Sequence, residues 1–262
     1  MGNKSRELAL KIAVAVAFVA MVVVNYLAQM LPINGVTPGQ ISDSLPNLFA
    51  PAGLTFSIWG LIYLLLAVFT VYQFFYKPEE GQRSLDGVRT VFILSSLFNI
   101  AWIFAWHYRG FVLSMGLMVS LLVSLIFINR MLDRRRLTGM KKAIIALPFS
   151  IYFGWITVAT VANATALLVS LGWDRFGLPE EFWAVVILLV AMLIGSATMI
   201  TRKDVAYGLV LLWAYAGILI KHVSPANFAG AYPWVIAAVI ACLVAYAAGE
   251  FFTIRSLLRR PA

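Results

Sequence analysis

The sequence feature that most constrains this chain is a series of eight apolar runs, each about 20 residues long. A helix that rises 1.5 Å per residue crosses a hydrocarbon core about 30 Å thick in that length. We place the runs at about residues 8–31, 54–76, 88–107, 110–133, 143–172, 182–201, 204–223 and 232–254. The runs are continuously apolar, whereas the strands of a membrane barrel alternate. The sequence therefore predicts an all-α, polytopic membrane bundle of about eight helices.

The composition agrees with a membrane protein. Hydrophobic residues make up 62% of the chain and charged residues only 12%, against about 45–50% and 25% in soluble domains. A surface in contact with water needs more charge than this. Soluble enzymes and disordered regulators are therefore excluded, and the single cysteine, Cys242, excludes an intrachain disulfide.

The distribution of Lys and Arg predicts the orientation of the helices. Of the 20 basic residues, only Arg109, Arg175 and Lys221 fall on one side of the predicted membrane, and the rest fall on the other. Because basic residues are retained in cytoplasmic loops, we expect a multi-pass protein of the cell membrane with both termini cytoplasmic.

The net charge of +9 also raises the question of nucleic-acid binding. The densest basic segment is Arg134-Arg135-Arg136 followed by Lys141-Lys142, between the fourth and fifth runs. Basic loops of this kind contact anionic lipid headgroups. We therefore expect membrane lipids as partners, and no nucleic acid.

The longest connection on the other side of the membrane runs from Pro32 to Gly53. It contains four prolines and no Lys or Arg; the prolines are Pro32, Pro38, Pro46 and Pro51. Long loops over one end of a bundle are often functional. We expect this segment to cover a cavity that opens on its side of the membrane.

Acidic groups are nearly absent from the apolar runs. Glu250 is the one acidic residue inside a run, close to the predicted cytoplasmic end of the last helix. At that depth a carboxylate that reaches the headgroups or pairs locally is favoured over a proton carrier. The shortage of buried charge weakens the case for a proton-coupled transporter.

Aromatic and amide side chains instead form stripes on three predicted helices. The stripes comprise Trp59 and Tyr63; Ser95, Asn99, Trp102 and Trp106; and Tyr152, Trp155, Ala159 and Asn163. The rise per residue places Trp59, Trp102 and Trp155 at similar, middle-to-outer depths. Two interpretations are open: the stripes enclose a ligand pocket, or the rings pack against neighbouring side chains. In either case the amide of Asn99 should face another helix or a ligand.

No catalytic constellation is found, neither a Ser/His/Asp set nor a P-loop nor an H-E-x-x-H sequence. We therefore expect neither an enzyme nor a resident cofactor. Ligation of haem by His107 and His222 is less favoured than an interfacial location for each. A stripe of small residues on the last run permits close helix packing, within the bundle or across a homodimer; it comprises Ala237, Ala241, Ala245 and Gly249.

Three motifs resemble a known family. They are the segment from Pro51 to Tyr63 (PAGLTFSIWGLIY), the segment from Phe98 to Trp102 (FNIAW), and Pro148 followed by the segment from Trp155 to Asn163 (WITVATVAN). Their order and their positions on the second, third and fifth helices are similar to those of the tryptophan-rich sensory protein/translocator protein (TspO/MBR) family, also called the peripheral benzodiazepine receptor family.

The resemblance implies a five-helix unit over residues 1–172 and a three-helix extension over residues 173–262. It also implies a pocket between helices that binds porphyrins such as haem or protoporphyrin IX, or sterol-like molecules. By residue match, that pocket is lined by Trp59, Asn99, Trp102, Trp155 and Ala159.

The stripes and the resemblance together predict a membrane receptor or sensor for a flat, small hydrophobic ligand, with a porphyrin or haem bound as ligand. The predicted ligand-binding residues are Trp59, Tyr63, Asn99, Trp102, Trp155, Ala159 and Asn163. The alternatives are a transporter of a small amphipathic compound and a structural partner in a membrane complex.

Overall fold

The computed structural model describes residues 2–31, 33–45, 47–77, 84–135 and 137–259, and over these ranges it contains helices and no strands. The α-helices are α1 (Gly2–Met30), α2 (Pro38–Asp43), α3 (Ile58–Phe75), α4 (Asp86–His107), α5 (Phe111–Asp133), α6 (Gly139–Ile145), α7 (Leu147–Ser170), α8 (Glu180–Arg202), α9 (Val205–Val223) and α10 (Pro233–Leu258). Short 3₁₀ segments cover Ile33–Gly35, Gly53–Ser57 and Arg175–Gly177. Some residues of the predicted loops and of the basic tally lie outside these ranges: Pro32, Pro46, Arg83, Arg136 and Arg260.

The predicted all-α bundle with eight spans is confirmed. Within the described ranges, eight helices are long and apolar enough to cross a membrane: Lys4–Met30, Gly53–Phe75, Asp86–His107, Phe111–Asp133, Gly139–Ser170, Glu180–Arg202, Val205–Val223 and Pro233–Leu258. Large apolar side chains such as Val16, Leu193 and Val244 remain exposed on them. Such surfaces suit contact with lipid, whose tails are as apolar as these side chains.

The fifth span is not one continuous helix as the sequence predicts. It begins as α6 and continues as α7, with Ala146 between them. Pro148 accounts for the break, because proline lacks an N–H and its ring crowds the carbonyl four residues earlier.

The chain divides into two compact units. Unit 1 comprises residues 1–41 and 59–153, and unit 2 comprises residues 42–58 and 154–262. One boundary therefore falls inside α7, between Phe153 and Gly154. The division at residue 172 was inferred from motifs rather than from compactness, and it stays a prediction.

In unit 1, α4 packs against both α1 and α5. The rings of Phe69 on α3, Phe92 on α4 and Phe149 on α7 meet edge to face, with centroids 4.8–5.9 Å apart. All three rings are fully buried. Edge-to-face pairs of this kind add to the free energy gained from burial, so this cluster joins three helices of the unit.

A buried arginine near the start of α4 links three helices of unit 1. Arg89 is 1% exposed and donates to Asp86 Oδ1 at 2.7 Å, to Gln73 Oε1 at 3.1 Å and to the Gln73 carbonyl at 3.3 Å. Glu7 Oε1 lies 3.7 Å from the guanidinium, and Gln73 in turn donates to the Lys11 carbonyl at 3.3 Å. The guanidinium thereby connects α1, α3 and α4.

In unit 2, α10 packs against α8 and α9. Two buried tyrosines tie these helices together: Tyr215 Oη donates to the Leu188 carbonyl at 2.8 Å, and Tyr246 Oη donates to the Ala191 carbonyl at 3.2 Å. Both acceptors are backbone groups of α8. The hydroxyls therefore form hydrogen bonds across helices, as polar side chains in membrane helices commonly do.

The second half of the long loop, with the first turns of the second span, lies on α9 within unit 2. Ala52 N–H donates to the Gly217 carbonyl at 3.0 Å, and Trp213 Nε1 donates to the Thr55 carbonyl at 2.9 Å. His222 Nε2 lies 2.9 Å from the Leu48 carbonyl. Backbone groups of this segment are therefore hydrogen-bonded both to the backbone and to side chains of α9.

Candidate functional site

The aromatic pair predicted on the second span forms at the start of α3. The rings of Trp59 and Tyr63 stack, with centroids 5.3 Å apart and planes 24° from parallel. Residues four apart on a helix face the same side, so the pairing follows from the sequence spacing.

Tyr152 of α7 extends this pair into a cluster inside unit 1. Its ring meets Trp59 edge to face at 5.7 Å, and its hydroxyl accepts a hydrogen bond from Asn99 Nδ2 at 3.1 Å. Asn99 and Tyr152 are both fully buried. The expectation that Asn99 faces another helix is met, because its amide bonds to a side chain of α7.

The amide oxygen of Asn99 accepts a hydrogen bond from a side chain of α1. Asn25 Nδ2 donates to Asn99 Oδ1 at 2.6 Å and to the Met21 carbonyl at 2.9 Å. Neither Asn25 nor Tyr152 is among the ligand-binding residues predicted from the sequence, although Tyr152 belongs to one of the predicted stripes. The signal for Asn25 was present, because a lone amide in an apolar run needs a partner on another helix.

The hydroxyl of Tyr63 is a buried polar group that forms no hydrogen bond with the described residues. A buried hydroxyl without a partner costs about 1–3 kcal/mol. The aromatic cluster formed by Trp59, Tyr63 and Tyr152, here called the α3 cluster, therefore contains a hydroxyl whose hydrogen-bonding capacity the described residues leave unused.

Trp102 takes part in a second aromatic pair on α4. Its ring stacks on Trp106 at 5.7 Å, 24° from parallel, and Trp106 Nε1 donates to the Pro38 carbonyl at 3.2 Å. Asn34 of the same loop donates to the His107 carbonyl at 3.1 Å. The first part of the long loop is therefore attached to the end of α4, within unit 1.

The remaining predicted residues belong to unit 2. Trp155 is buried and meets Phe56 edge to face at 5.6 Å, while Asn163 is buried and Ala159 half-buried further along α7. Trp59, Tyr63, Asn99 and Trp102 lie in unit 1. The convergence of all seven residues on one pocket therefore stays a prediction.

Two cavities lie elsewhere in the molecule. One, in unit 2, has a volume of about 70 Å³ and is bordered by Leu48, Thr165, Trp173 and Trp183, among others. The other, of about 340 Å³, lies in unit 1 beside Arg6, Leu10 and Asp86. Neither is lined by any of the seven predicted residues, and the first is far smaller than the roughly 300–1,000 Å³ of typical ligand pockets.

The two histidines each lie against a backbone carbonyl. His107 Nδ1 is 2.7 Å from the Ile103 carbonyl in unit 1, and His222 Nε2 is 2.9 Å from the Leu48 carbonyl in unit 2. Within the described ranges, no group of three or more His, Cys, Asp or Glu side chains is arranged to hold a metal ion.

The eight long apolar helices found within the described ranges, with buried amides and tyrosines bonded across helices, define a multi-pass helical membrane protein. A family model described as TSPO-like protein matches residues 11–251, most of the chain. The chain belongs to this TSPO-like family and is a membrane protein of the sensor or transporter type. The match continues past residue 172, so it includes the last three helices as well as the motif-bearing ones. No curated protein and no solved structure matches the chain significantly.

Proposed function

We propose that the protein is a membrane receptor or sensor that binds a flat, largely apolar ligand at the α3 cluster, with a tetrapyrrole as the first candidate. The observation that carries this proposal is the buried hydroxyl of Tyr63, which has no described hydrogen-bond partner although its ring stacks on Trp59. A planar ligand with a polar edge would meet both features, because its face stacks on aromatic rings and its edge bonds to the hydroxyl.

The rest of the site supports the same class of ligand. Asn99 and Tyr152 form a buried, hydrogen-bonded frame beside Trp59, and a rigid frame favours one ligand orientation. Trp102, Trp155 and Ala159 are the further ligand-binding residues that the resemblance predicts, and Asn163 is predicted by its stripe on the fifth span. The same proposal places both termini in the cytoplasm, on the strength of the Lys and Arg distribution. The function proposed for the protein is binding rather than catalysis.

The proposal is tested by titrating the purified protein with protoporphyrin IX and measuring the quenching of tryptophan fluorescence. Replacing Tyr63 by phenylalanine keeps the ring and removes one hydrogen bond. We expect it to weaken binding by roughly three- to tenfold, since such a bond contributes about 0.5–1.5 kcal/mol. The double variant Trp59→Phe/Trp155→Phe should lose most of the quenching.

Tyr26→Phe is the matched control, because Tyr26 is an exposed tyrosine of α1 and its hydroxyl should not affect the affinity. Equal affinities for the wild type and Tyr63→Phe would reject the assigned role of the hydroxyl. Unchanged quenching in the double tryptophan variant would reject the pocket. Ligand flux into proteoliposomes would favour the transporter alternative over a receptor.

A further inference from the structure

An acidic side chain is buried in unit 2, near the end of α10. Glu250 is 5% exposed, and both its carboxyl oxygens are buried. No described residue lies within hydrogen-bond reach of either oxygen. The sequence favoured a carboxylate that reaches the headgroups or pairs locally. The structure differs from that expectation, because the neighbouring helices cover the side chain and no cation among the described residues is bonded to it.

Two glycines leave the space that the Glu250 and Met199 side chains occupy. A Cβ atom at Gly208 of α9 would lie 2.5 Å from Glu250 Oε2 and would also collide with Met199 Sδ of α8. A Cβ atom at Gly249 would lie 2.6 Å from Met199 Cε. The carboxyl group therefore sits against glycine backbone and a methionine side chain, where α8, α9 and α10 meet.

The charged and titratable groups at this end of α8 and α9 do not neutralise Glu250. Arg202 Nη2 lies 3.5 Å from Asp204 Oδ2. Lys203 is the C-cap residue of α8 and has a left-handed backbone conformation. Asp204 caps α9 by accepting from the Tyr207 N–H, and Tyr207 Oη donates to Thr157 Oγ1 at 3.3 Å. On α10 itself, Tyr246 Oη is bonded to the Ala191 carbonyl and Arg255 is exposed.

An ionised carboxylate in these surroundings is strongly disfavoured, because burial of an unpaired charge costs several kcal/mol whereas a neutral acid costs far less. A metal ion would not relieve the cost. Hard cations need several oxygen ligands, and within the described ranges no group of three or more His, Cys, Asp or Glu side chains is arranged to supply them. A single proton, which needs only the carboxylate itself, fits the site.

We propose that Glu250 is a proton-binding site inside the α8–α10 bundle. The carboxylate takes one proton from water to form a carboxylic acid, and no other bond forms or breaks. The proton is held while Gly208 and Met199 close over the group, and it is released when α9 and α10 separate enough to admit water. Proton binding and the packing of these helices are thereby coupled, independently of any ligand at the α3 cluster.

The test is infrared spectroscopy of the intact protein at neutral pH, since the C=O stretch of a protonated carboxyl group is distinct from the bands of a carboxylate. The variant Glu250→Gln preserves the shape of the neutral acid. We expect the difference spectrum between the wild type and Glu250→Gln to show the loss of one carboxylic-acid band. We also expect the thermal unfolding midpoint to stay within a few degrees of the wild type.

Glu181→Gln is the matched control, because Glu181 lies in the first turn of α8 at the other end of that helix. Its difference spectrum should show the loss of carboxylate bands only. Loss of carboxylate bands in Glu250→Gln would overturn the proposal. Failure of Glu250→Gln to fold would also overturn it, since glutamine replaces a neutral acid but not the ionised partner of a buried ion pair.

Discussion

Replacing Arg89 by methionine should lower the free energy of unfolding by about 3 kcal/mol. Removing one member of a buried ion pair costs about 3–5 kcal/mol. Here the cost falls at the lower end, because Asp86 and Glu7 are 48% and 39% exposed and keep part of their hydration. Gln73 has no such relief, since it is fully buried and loses the donors to its side-chain and backbone oxygens.

Thermal unfolding in detergent measures this effect, and the midpoint should fall by roughly 6–12 °C. Arg130→Met is the matched control, because Arg130 is exposed near the end of α5 and exposed substitutions stay within about 0.5 kcal/mol. Arg89→Lys should recover only part of the loss, since an ammonium cannot reproduce the planar fork of donors. Equal midpoints for Arg89→Met and Arg130→Met would show that the buried network contributes nothing to stability.

Replacing Gly217 by alanine is expected to destabilise unit 2 by about 3 kcal/mol, at the upper end of overpacking costs. A Cβ atom there would overlap Thr55 Oγ1 and lie 2.8 Å from Thr55 Cβ. Thr55 is buried, and the bonds from Ala52 N–H to the Gly217 carbonyl and from Trp213 to the Thr55 carbonyl hold the two segments together. The added methyl group must therefore push the segment away from α9 and strain both hydrogen bonds.

The same unfolding measurement applies, with Gly116→Ala as its control. Gly116 lies inside α5, and apart from its chain neighbours and the nearby backbone of that helix, no described atom lies within 4 Å of its Cβ position. Alanine should there stabilise the helix by about 0.5–1 kcal/mol. The two substitutions make the same chemical change, so opposite shifts isolate the cost of contact with Thr55. A neutral result at Gly217 would mean that α9 and this segment separate freely.

The number of spans could be predicted from the sequence because each span depends on its own 20 or so residues. Apolar length decides whether a helix is stable in the bilayer before any neighbour is considered. The end of a helix depends on smaller, local effects. Pro148 shows this. It was recognised as part of a motif, but the interruption of the helix at Ala146 was not predicted.

The candidate site was predictable only in part. The pairing of Trp59 with Tyr63 follows from a spacing of four residues on one helix. The contacts of Asn99 with Asn25 and Tyr152 join residues 74 and 53 positions apart, and no spacing rule reaches that far. The sequence showed that Asn99 needs hydrogen-bond partners, and the structure identifies them as Asn25 and Tyr152.

Glu250 separates local from tertiary information most clearly. Its position inside an apolar run was visible in the sequence. That no described cation is bonded to it depends on where Arg202 and Asp204 lie once α8, α9 and α10 have packed.

The sequence by itself determined that the chain is an all-helical membrane protein with eight spans, because solvation by lipid acts on each segment separately. Only the tertiary structure decided which polar atoms find partners and which, like the Tyr63 hydroxyl and the Glu250 carboxyl, have none among the described residues. Hydrogen bonds and ion pairs act over about 3–4 Å, and distances of that size between helices exist only after the helices have packed.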